Sequence, residues 1–212
     1  MSHITSSLRA AASLAVVTLC TPNFAHAVPF TYSTDFSAGV GAEWNVSTSY
    51  NNGDAGILGQ LADGSATLSV NALLGGTSSL DFDLLGFRTI DGYNCCTDRF
   101  SLSLNGTEVF RGVFSLGGGG SEGIEVNTLG AVVSGSGTSS RHIAITSLNL
   151  LSGVNTLGFT YGGLQGYNDE AWGLDNVAMA GEVSAPSAVP EPAVLGLFGI
   201  GLLGLGFARR RA

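Results

Sequence analysis

Apolar and polar residues alternate along most of the middle of this chain. The alternation covers residues 65–73, 78–87, 99–114, 122–129, 141–150, 154–162 and 172–181. A period of two places successive side chains on opposite faces of a strand, whereas a helix repeats its apolar positions every three to four residues. Asn105-Gly106 divides the third segment and is typical of a type I′ hairpin turn. The pattern predicts eight to ten short strands and no helix longer than two turns.

Turn-forming residues separate these segments. Glycine accounts for 32 of the 212 residues, about twice its usual share, and it follows no Gly-X-Y repeat. Short alternating segments divided by Gly, Asn and Ser are typical of two packed antiparallel sheets. We therefore predict an all-β fold, a single two-sheet β-sandwich of the jelly-roll type, over residues 28–183. The small residues of 184–189 are predicted to form a linker.

The first 27 residues have the pattern of a secretory signal peptide. Arg9 precedes an apolar stretch over residues 10–20, and Ala25-His26-Ala27 provides a small-x-small cleavage site. We predict cleavage after Ala27 and export of the remaining chain through the inner membrane. An amphipathic first helix of the domain is the alternative.

The end of the chain divides into three parts. Pro190-Glu191-Pro192 is followed by an uncharged run over residues 193–208 and then by Arg209, Arg210 and Arg211. At about 1.5 Å per residue the run spans roughly 24 Å as a helix, which is short of the roughly 30 Å hydrocarbon core of a bilayer. We predict a short transmembrane helix that anchors the chain transiently, with the arginines on the cytoplasmic side.

This three-part tail, over residues 190–212, resembles a PEP-CTERM sorting signal. The resemblance implies recognition by exosortase, a membrane enzyme of Gram-negative bacteria that make exopolysaccharide and biofilm. It also implies that Pro190, Glu191 and Pro192 mark the processing site. The mature protein would then be attached to the cell surface or released into the extracellular matrix. A plain single-pass C-terminal anchor is the alternative.

The body carries a second, more diffuse resemblance. Residues 82–84, 91–106, 147–161 and 169–181 together are similar to jelly-roll domains of the galactose-binding and concanavalin-like kind. Such domains occur in many exported PEP-CTERM proteins. This resemblance implies a fold and leaves the activity open.

The charge pattern argues against nucleic acid as a partner. The chain has no lysine, and four arginines stand against all 16 acidic residues between Asp35 and Glu191, namely Arg88, Arg99, Arg111 and Arg141. Binding to phosphates requires a basic surface, which this composition does not supply. An acidic, lysine-free surface suits solubility outside the cell or the capture of divalent cations.

Several acidic side chains are candidates for a structural calcium site. Sandwiches of the resembled type often pair their first and last strands, so that an Asp on each can share a calcium ion with loop oxygens. Calcium takes six to eight hard oxygen ligands. The candidate ligands are Asp35, Asp91, Asp98, Asp175 and Asn176. The alternative is that these residues form ordinary turns and strand caps.

Aromatic residues in polar loops would allow sugar binding, because flat rings stack on sugar faces while nearby Asn and Asp accept hydroxyl protons. Tyr50, Tyr93 and Tyr167 lie in loops rich in Asn and Gly and are the candidates, whereas Trp44 and Trp172 are predicted to lie in the core.

The sequence leaves two functions open. One is a non-catalytic structural component of an exopolysaccharide matrix, and the other is a calcium-assisted carbohydrate-binding module.

Catalytic chemistry is the least favoured function, and we predict that the chain is not an enzyme. Asp169-Glu170 beside Trp172 could supply a glycosidase acid, but the sequence places no second carboxylate near it. His142 lies in an alternating segment without a G-x-S-x-G motif, which predicts a solvent-facing strand residue. The glycine-rich residues 115–123 lack the lysine of a phosphate-binding loop and are predicted to form a flexible connector.

Cys95 and Cys96 are adjacent. Adjacency excludes an unstrained disulfide between them, because bridged residues usually have Cα atoms more than about 4.4 Å apart. A strained vicinal bridge, two intermolecular bridges and a pair of free thiols remain open.

Overall fold

The structure, a computed structural model, describes residues 27–46, 56–62 and 64–184. The predicted signal peptide and the predicted transmembrane helix lie outside these residues. Within them, no helix is long and apolar enough to span a membrane. The strands are β1 Ala27–Thr34, β2 Trp44–Val46, β3 Leu58–Leu61, β4 Gly64–Ala72, β5 Gly76–Arg88, β6 Arg99–Leu104, β7 Thr107–Val113, β8 Gly123–Asn127, β9 Val132–Ser134, β10 Ser140–Leu150, β11 Gly153–Gly162 and β12 Glu170–Ser184.

The strands form two sheets of six, and the pairings between strands are antiparallel. Sheet A has the order β1-β12-β5-β10-β9, with β3 also paired to β12. Sheet B has the order β2-β4-β11-β6-β7-β8. The predicted all-β fold with two antiparallel sheets is therefore confirmed. The first and last strands are neighbours, with Thr34 opposite Val177.

The core lies between the inward faces of the two sheets. Phe82 of sheet A contacts Phe100 and Phe159 of sheet B, with ring centroids 5.8 and 5.3 Å apart. Trp172 of sheet A lies 6.3 Å from Phe100 and 6.1 Å from Tyr161 of sheet B. All five side chains are buried. Each aromatic side chain removes about 150–250 Å² from water, so these rings supply much of the hydrophobic stabilisation.

The alternating segments of the sequence correspond to strands β4 to β8 and β10 to β12. Asn105 and Gly106, which join β6 to β7, have φ angles of 51° and 80°, as a type I′ turn requires at both positions. Strand β1 also lies outside these segments, as do the short strands β2, β3 and β9, which contain 3, 4 and 3 residues. Segments this short do not show a period, so the structure has more strands than the pattern indicates.

Three loops meet where β5 ends and where β6 and β12 begin, and we call them the 89–98, 114–122 and 163–169 loops. The 89–98 loop hydrogen-bonds to the 114–122 loop, where the Leu116 amide donates to the Ile90 carbonyl at 3.0 Å and the Gly92 amide donates to the Gly119 carbonyl at 2.6 Å. Its Thr89 amide also donates to the carbonyl of Asp169, at 3.2 Å. The backbone therefore holds all three loops against one another.

The glycine-rich segment packs closely against the 89–98 loop. A Cβ at Gly118 would lie 2.4 Å from Asp91 Oδ1, and a Cβ at Gly120 would lie 2.6 Å from the Tyr93 carbonyl oxygen. Real Cβ atoms do not approach other atoms this closely, so only glycine fits at either position. The glycines therefore allow close packing around Asp91. The prediction of a flexible connector for this segment did not include such a role.

Candidate functional site

Three carboxylates converge where the loops meet. Asp91 lies in the 89–98 loop, Asp98 directly precedes β6 and Glu170 is the first residue of β12. One carboxylate oxygen from each lies within 4.8 Å of the others. Asp98 is 0% and Glu170 1% exposed, while Asp91 is half-buried. We call this group the carboxylate centre.

Backbone amides hold each member of the carboxylate centre through one oxygen. The Asp91 amide donates to Asp98 Oδ2 at 2.7 Å, and the Gly119 amide donates to Asp91 Oδ1 at 2.7 Å. The Gln165 amide donates to Glu170 Oε2. The donors come from all three loops, so the positions of the carboxylates depend on how the loops pack.

Two buried oxygen atoms beside this centre lack a hydrogen-bond partner among the described residues. They are Asp98 Oδ1 and the hydroxyl oxygen of Tyr161. Tyr161 is 1% exposed, and the charges of Asp98 and Glu170 act on it. Most buried polar atoms in folded proteins are paired, and leaving one unpaired costs about 1–3 kcal/mol. The site therefore has unused capacity to bind a polar or charged group.

Burial and mutual repulsion make it unfavourable to ionise this centre. Burial raises the pKa of Asp98 to about 7, and the hydrogen bond from the Asp91 amide opposes the rise. The charges of Glu170 and Asp91 add smaller contributions, as does the hydrogen bond that protonated Asp98 donates to the carboxylate of Glu170. Burial also raises the pKa of Glu170, helped by the charges of Asp169 and Asp91. Closely spaced carboxylates in a dry site favour the uptake of positive charge, either a proton or a cation.

The sequence alone did not reveal that Glu170 has carboxylate neighbours. The structure places two beside it, but Asp98 and Glu170 are both buried. A glycosidase needs its acid and its second carboxylate on either side of an accessible glycosidic bond. A sugar cannot reach between these side chains, so the geometry does not support glycoside hydrolysis.

The five candidate calcium ligands fall in two places. Asp91 and Asp98 belong to the carboxylate centre, whereas Asp175 lies five residues from Glu170 along β12, about 16 Å away at the usual rise of a strand. Asp35 follows β1 and accepts hydrogen bonds from the amide and hydroxyl of Ser37, at 3.0 and 2.7 Å. Those bonds lower the pKa of Asp35 and are typical of a turn-capping Asp.

A second acidic group, formed by Asp83 and Asp175, lies on the outer face of sheet A. Asn176, at a bulge of β12, donates to Asp83 Oδ2 at 2.8 Å and to Asp175 Oδ2 at 3.2 Å. Burial is the largest cause of a raised pKa at Asp175, and the charges of Asp83 and Asp35 add to it. His142 Nδ1 lies 2.8 Å from Asp83 Oδ1, and the ring is 46% exposed. The histidine faces solvent, as predicted.

The loop tyrosines lie in different surroundings. Tyr93 is 38% exposed, and its hydroxyl donates to Glu125 Oε1 at 3.1 Å. Tyr167 is half-buried, and the guanidinium of Arg88 covers its ring at 4.8 Å from the centroid. Tyr50 lies outside the described residues. Trp44 and Trp172 are buried, as predicted.

A groove of about 440 Å³ lies beside the carboxylate centre, where β4, β6, β7 and β11 of sheet B adjoin the loops. Arg99 and Arg111 line it, and both pair with Glu125, at 3.2 and 3.8 Å. Thr97, Ser101 and Thr160 add hydroxyl groups. The sequence did not predict this groove, because its residues are brought together by strand pairing. In the sequence, the signal for this groove was that every second residue of the neighbouring strands faces outward.

Cys95 and Cys96 are free thiols whose sulfur atoms lie 3.0 Å apart. Cys95 is exposed and Cys96 is half-buried. The hydrogen bond between the Cys96 thiol and the Cys95 sulfur is the largest cause of a raised pKa at Cys96. A raised pKa reduces the fraction of reactive thiolate at neutral pH.

Residues 188–211 match the PEP-CTERM protein-sorting motif. The match covers the end of the chain and includes Pro190, Glu191 and Pro192 together with Arg209, Arg210 and Arg211. The resemblance stated from the sequence is therefore confirmed for this segment, and the motif indicates export and a membrane-associated sorting signal at the C-terminal end. No curated protein matches the chain.

Solved structures resemble the described fold at low sequence identity. The CBM35 from Cellvibrio japonicus Abf62 aligns with a TM-score of 0.42 and 11% identity, covering 75% of this chain and 100% of that one. A family 35 carbohydrate binding module from Clostridium thermocellum aligns with a TM-score of 0.37 and 17% identity, covering 71% and 97%. Dimeric latent PorU from Porphyromonas gingivalis aligns with a TM-score of 0.39 and 13% identity, covering 78% and 14%. Similarity at this level specifies neither a ligand nor a site.

Proposed function

We propose that this chain is an exported, non-catalytic protein that exosortase sorts to the cell surface or extracellular matrix, where it has a structural role in exopolysaccharide or biofilm. The PEP-CTERM motif at residues 188–211 carries this proposal. In it, residues 1–27 are a signal peptide, residues 193–208 cross the inner membrane transiently, and Pro190, Glu191 and Pro192 mark the processing site. The sorted domain is a sandwich of the jelly-roll type.

Two features of the described residues support a non-catalytic role. The carboxylates of Asp98 and Glu170 are buried beneath the loops, where a polymeric substrate does not reach them. The exposed His142 is hydrogen-bonded to Asp83 on an open sheet face, away from the groove. General acid-base catalysis requires the proton-transferring group to contact the substrate. The buried carboxylates do not meet this requirement, and His142 lies on the other sheet from the groove.

Replacing Pro190, Glu191 and Pro192 by alanine should prevent sorting. We expect the variant to remain in the inner-membrane fraction of the host, because the processing site is altered while the hydrophobic run and the arginines are unchanged. The measurement is an immunoblot of inner-membrane, surface and matrix fractions. Glu182→Ala, an exposed glutamate on β12, is the control and should be distributed like the unaltered protein. Normal surface delivery of the triple variant would contradict the proposal.

Calcium-assisted carbohydrate binding is a second candidate function, favoured by the groove on sheet B. Its arginines and hydroxyl groups are suited to the hydroxyl and carboxylate groups of an acidic polysaccharide. Arg99 and Arg111 keep 47% and 38% of their side chains exposed despite their ion pairs. Tyr93 and Tyr167 are the described tyrosines of the expected sugar site, and Tyr50 completes that set.

Blocking the groove tests this second function. Thr160→Trp should weaken binding of the purified full-length chain to exopolysaccharide from its host by about tenfold or more, equivalent to about 1.4 kcal/mol, because the indole fills the groove. Ser69→Trp is the matched control, since Ser69 is exposed on the same sheet outside the groove. Affinity should be measured in calcium and in chelator. Equal affinity of both variants would exclude the groove as the sugar site.

A further inference from the structure

We propose that Asp91, Asp98 and Glu170 bind one divalent cation, calcium in preference to magnesium, and that this ion fastens the three loops together. The site differs from the ligand set expected from the sequence, because Glu170 joins Asp91 and Asp98 while Asp35, Asp175 and Asn176 lie elsewhere. The inference goes beyond the proposed structural role and specifies ligands for the ion of the second candidate function, but it does not depend on sugar binding.

The spacing of the carboxylates suits an ion of this size. Calcium binds oxygen at about 2.3–2.6 Å, so two oxygens on opposite sides of it are about 4.6–5.2 Å apart. The ligand oxygens of Asp91, Asp98 and Glu170 all lie within 4.8 Å of one another. The three side chains can therefore contact one ion without a rearrangement of the backbone.

An unpartnered oxygen provides independent support. No N–H or O–H group of the described residues donates to Asp98 Oδ1, and the whole Asp98 side chain is buried. Its other side-chain neighbour is the carboxylate of Glu170, which can bond to Asp98 only by sharing a proton with it. A hydrogen bond from the Asp91 amide fixes the other oxygen of the same carboxylate, so the side chain cannot turn to solvent without losing that bond. A cation would satisfy Oδ1 where it stands. The unpartnered hydroxyl of Tyr161 is subject to the same negative charges.

The chemistry of the donors selects the ion. The ligands are carboxylate oxygens, which hard cations prefer, whereas zinc and copper favour nitrogen and sulfur. Magnesium requires near-ideal octahedral geometry and retains several waters, which an enclosed site accommodates poorly. Calcium accepts irregular coordination by six to eight oxygens, and neighbouring backbone carbonyls can supply the remainder.

The ion would connect parts of the chain that are distant in sequence. Asp91 and Asp98 hold both ends of the 89–98 loop, and the Gly119 amide attaches the 114–122 loop to Asp91. Glu170 directly follows the 163–169 loop. Thr97 and Gly163 line the groove on sheet B and lie next to this centre, since a Cβ at Gly163 would be 3.1 Å from Asp98 Oδ1. Cation binding would therefore rigidify one wall of the groove.

Thermal unfolding of the purified full-length chain tests the site. Calcium at about 100 times its Kd should raise Tm by roughly 5–10 °C relative to chelator, because the ion binds the folded state preferentially. Magnesium at the same concentration should produce a smaller rise. Terbium, added alone, should give luminescence sensitised by the nearby rings of Tyr161 and Trp172, and calcium should displace it.

Asp98→Asn separates loss of the ion from damage to the fold. The substitution keeps the shape of the side chain and removes its charge, so the variant should lose the calcium response and the terbium signal. In chelator, at a pH above the pKa of about 7 of Asp98, it should melt at the same temperature as the unaltered protein or higher, because a repulsive charge is gone. A variant with a damaged fold would melt lower in both conditions. Asp175→Asn, in the second acidic group, is the control and should keep the full response.

Three results would overturn the assignment. The first is an unaltered protein whose Tm does not change with calcium and which gives no sensitised terbium luminescence. The second is an Asp98→Asn variant that responds like the unaltered protein. The third is loss of the response in Asp175→Asn with retention in Asp98→Asn, which would move the ion to the second acidic group.

Discussion

Trp172→Ala is expected to lower the free energy of unfolding by about 3–5 kcal/mol, the usual cost of truncating a buried aromatic side chain. Trp172 is completely buried between the sheets, where it contacts Phe100 and Tyr161. Its indole Nε1 donates to the carbonyl of Ala62 at 2.9 Å. Alanine would leave a cavity and an unpaired carbonyl. Urea unfolding, followed by circular dichroism, measures the loss.

Trp172→Phe is the matched control. It retains most of the packing and removes the hydrogen bond, so we expect it to cost about 1–3 kcal/mol, less than alanine. If Trp172→Ala changed stability by less than 1 kcal/mol, the indole would not occupy the core position described here. If Trp172→Ala does not fold, the loss of stability in Trp172→Phe still tests the buried position of the indole.

In the presence of chelator, stability should decrease as pH rises from about 4 to about 7. The pKa of Asp98 is raised to about 7 in the folded chain from an ordinary 3.8, so between these pH values the folded state holds a proton that the unfolded state has released. Stability is therefore greatest at the acid end and is lost as pH passes the folded pKa. The expected decrease is roughly 2–4 kcal/mol. Glu170, whose pKa is also raised, acts in the same direction.

Urea unfolding at a series of pH values measures this dependence. Subtracting the profile of Asp98→Asn isolates the contribution of Asp98, since the variant has no proton to release at that position. Saturating calcium should flatten the profile of the unaltered protein, because the ion replaces the proton as the source of positive charge. A stability difference between the two proteins that does not change from pH 4 to pH 7 would contradict the environment described for Asp98.

Much of the fold could be predicted because strand burial leaves a direct pattern in the sequence. The inward side chains of β4 and β11 alternate with outward polar residues, and that period is visible without a structure. The hairpin at Asn105-Gly106 was equally clear, because only a few residues tolerate positive φ at both positions. Strands β2 and β9 were missed because their 3 residues each depend on pairing with longer neighbours.

The candidate site could be predicted only in part, because strand pairing completes it. Asp91 and Asp98 border the same loop and were grouped from the sequence. Glu170 joins them because β12 pairs with β5 in a register that places Glu170 opposite Arg88, next to the start of that loop. A one-residue change in register would turn Glu170 to the other face of the sheet. Nothing in the local sequence around Glu170 specifies that register.

The mass of the mature protein tests the central claim most directly. The chain should be isolated from its host and from a matched strain without exosortase, and both the intact mass and the C-terminal peptide should be measured. Removal of the signal peptide predicts that the protein starts at Val28 in both strains. Sorting by exosortase predicts that the host protein lacks the residues that follow the Pro190-Glu191-Pro192 site and that the exosortase-deficient strain retains them. A C-terminal peptide ending at Ala212 in both strains would contradict it.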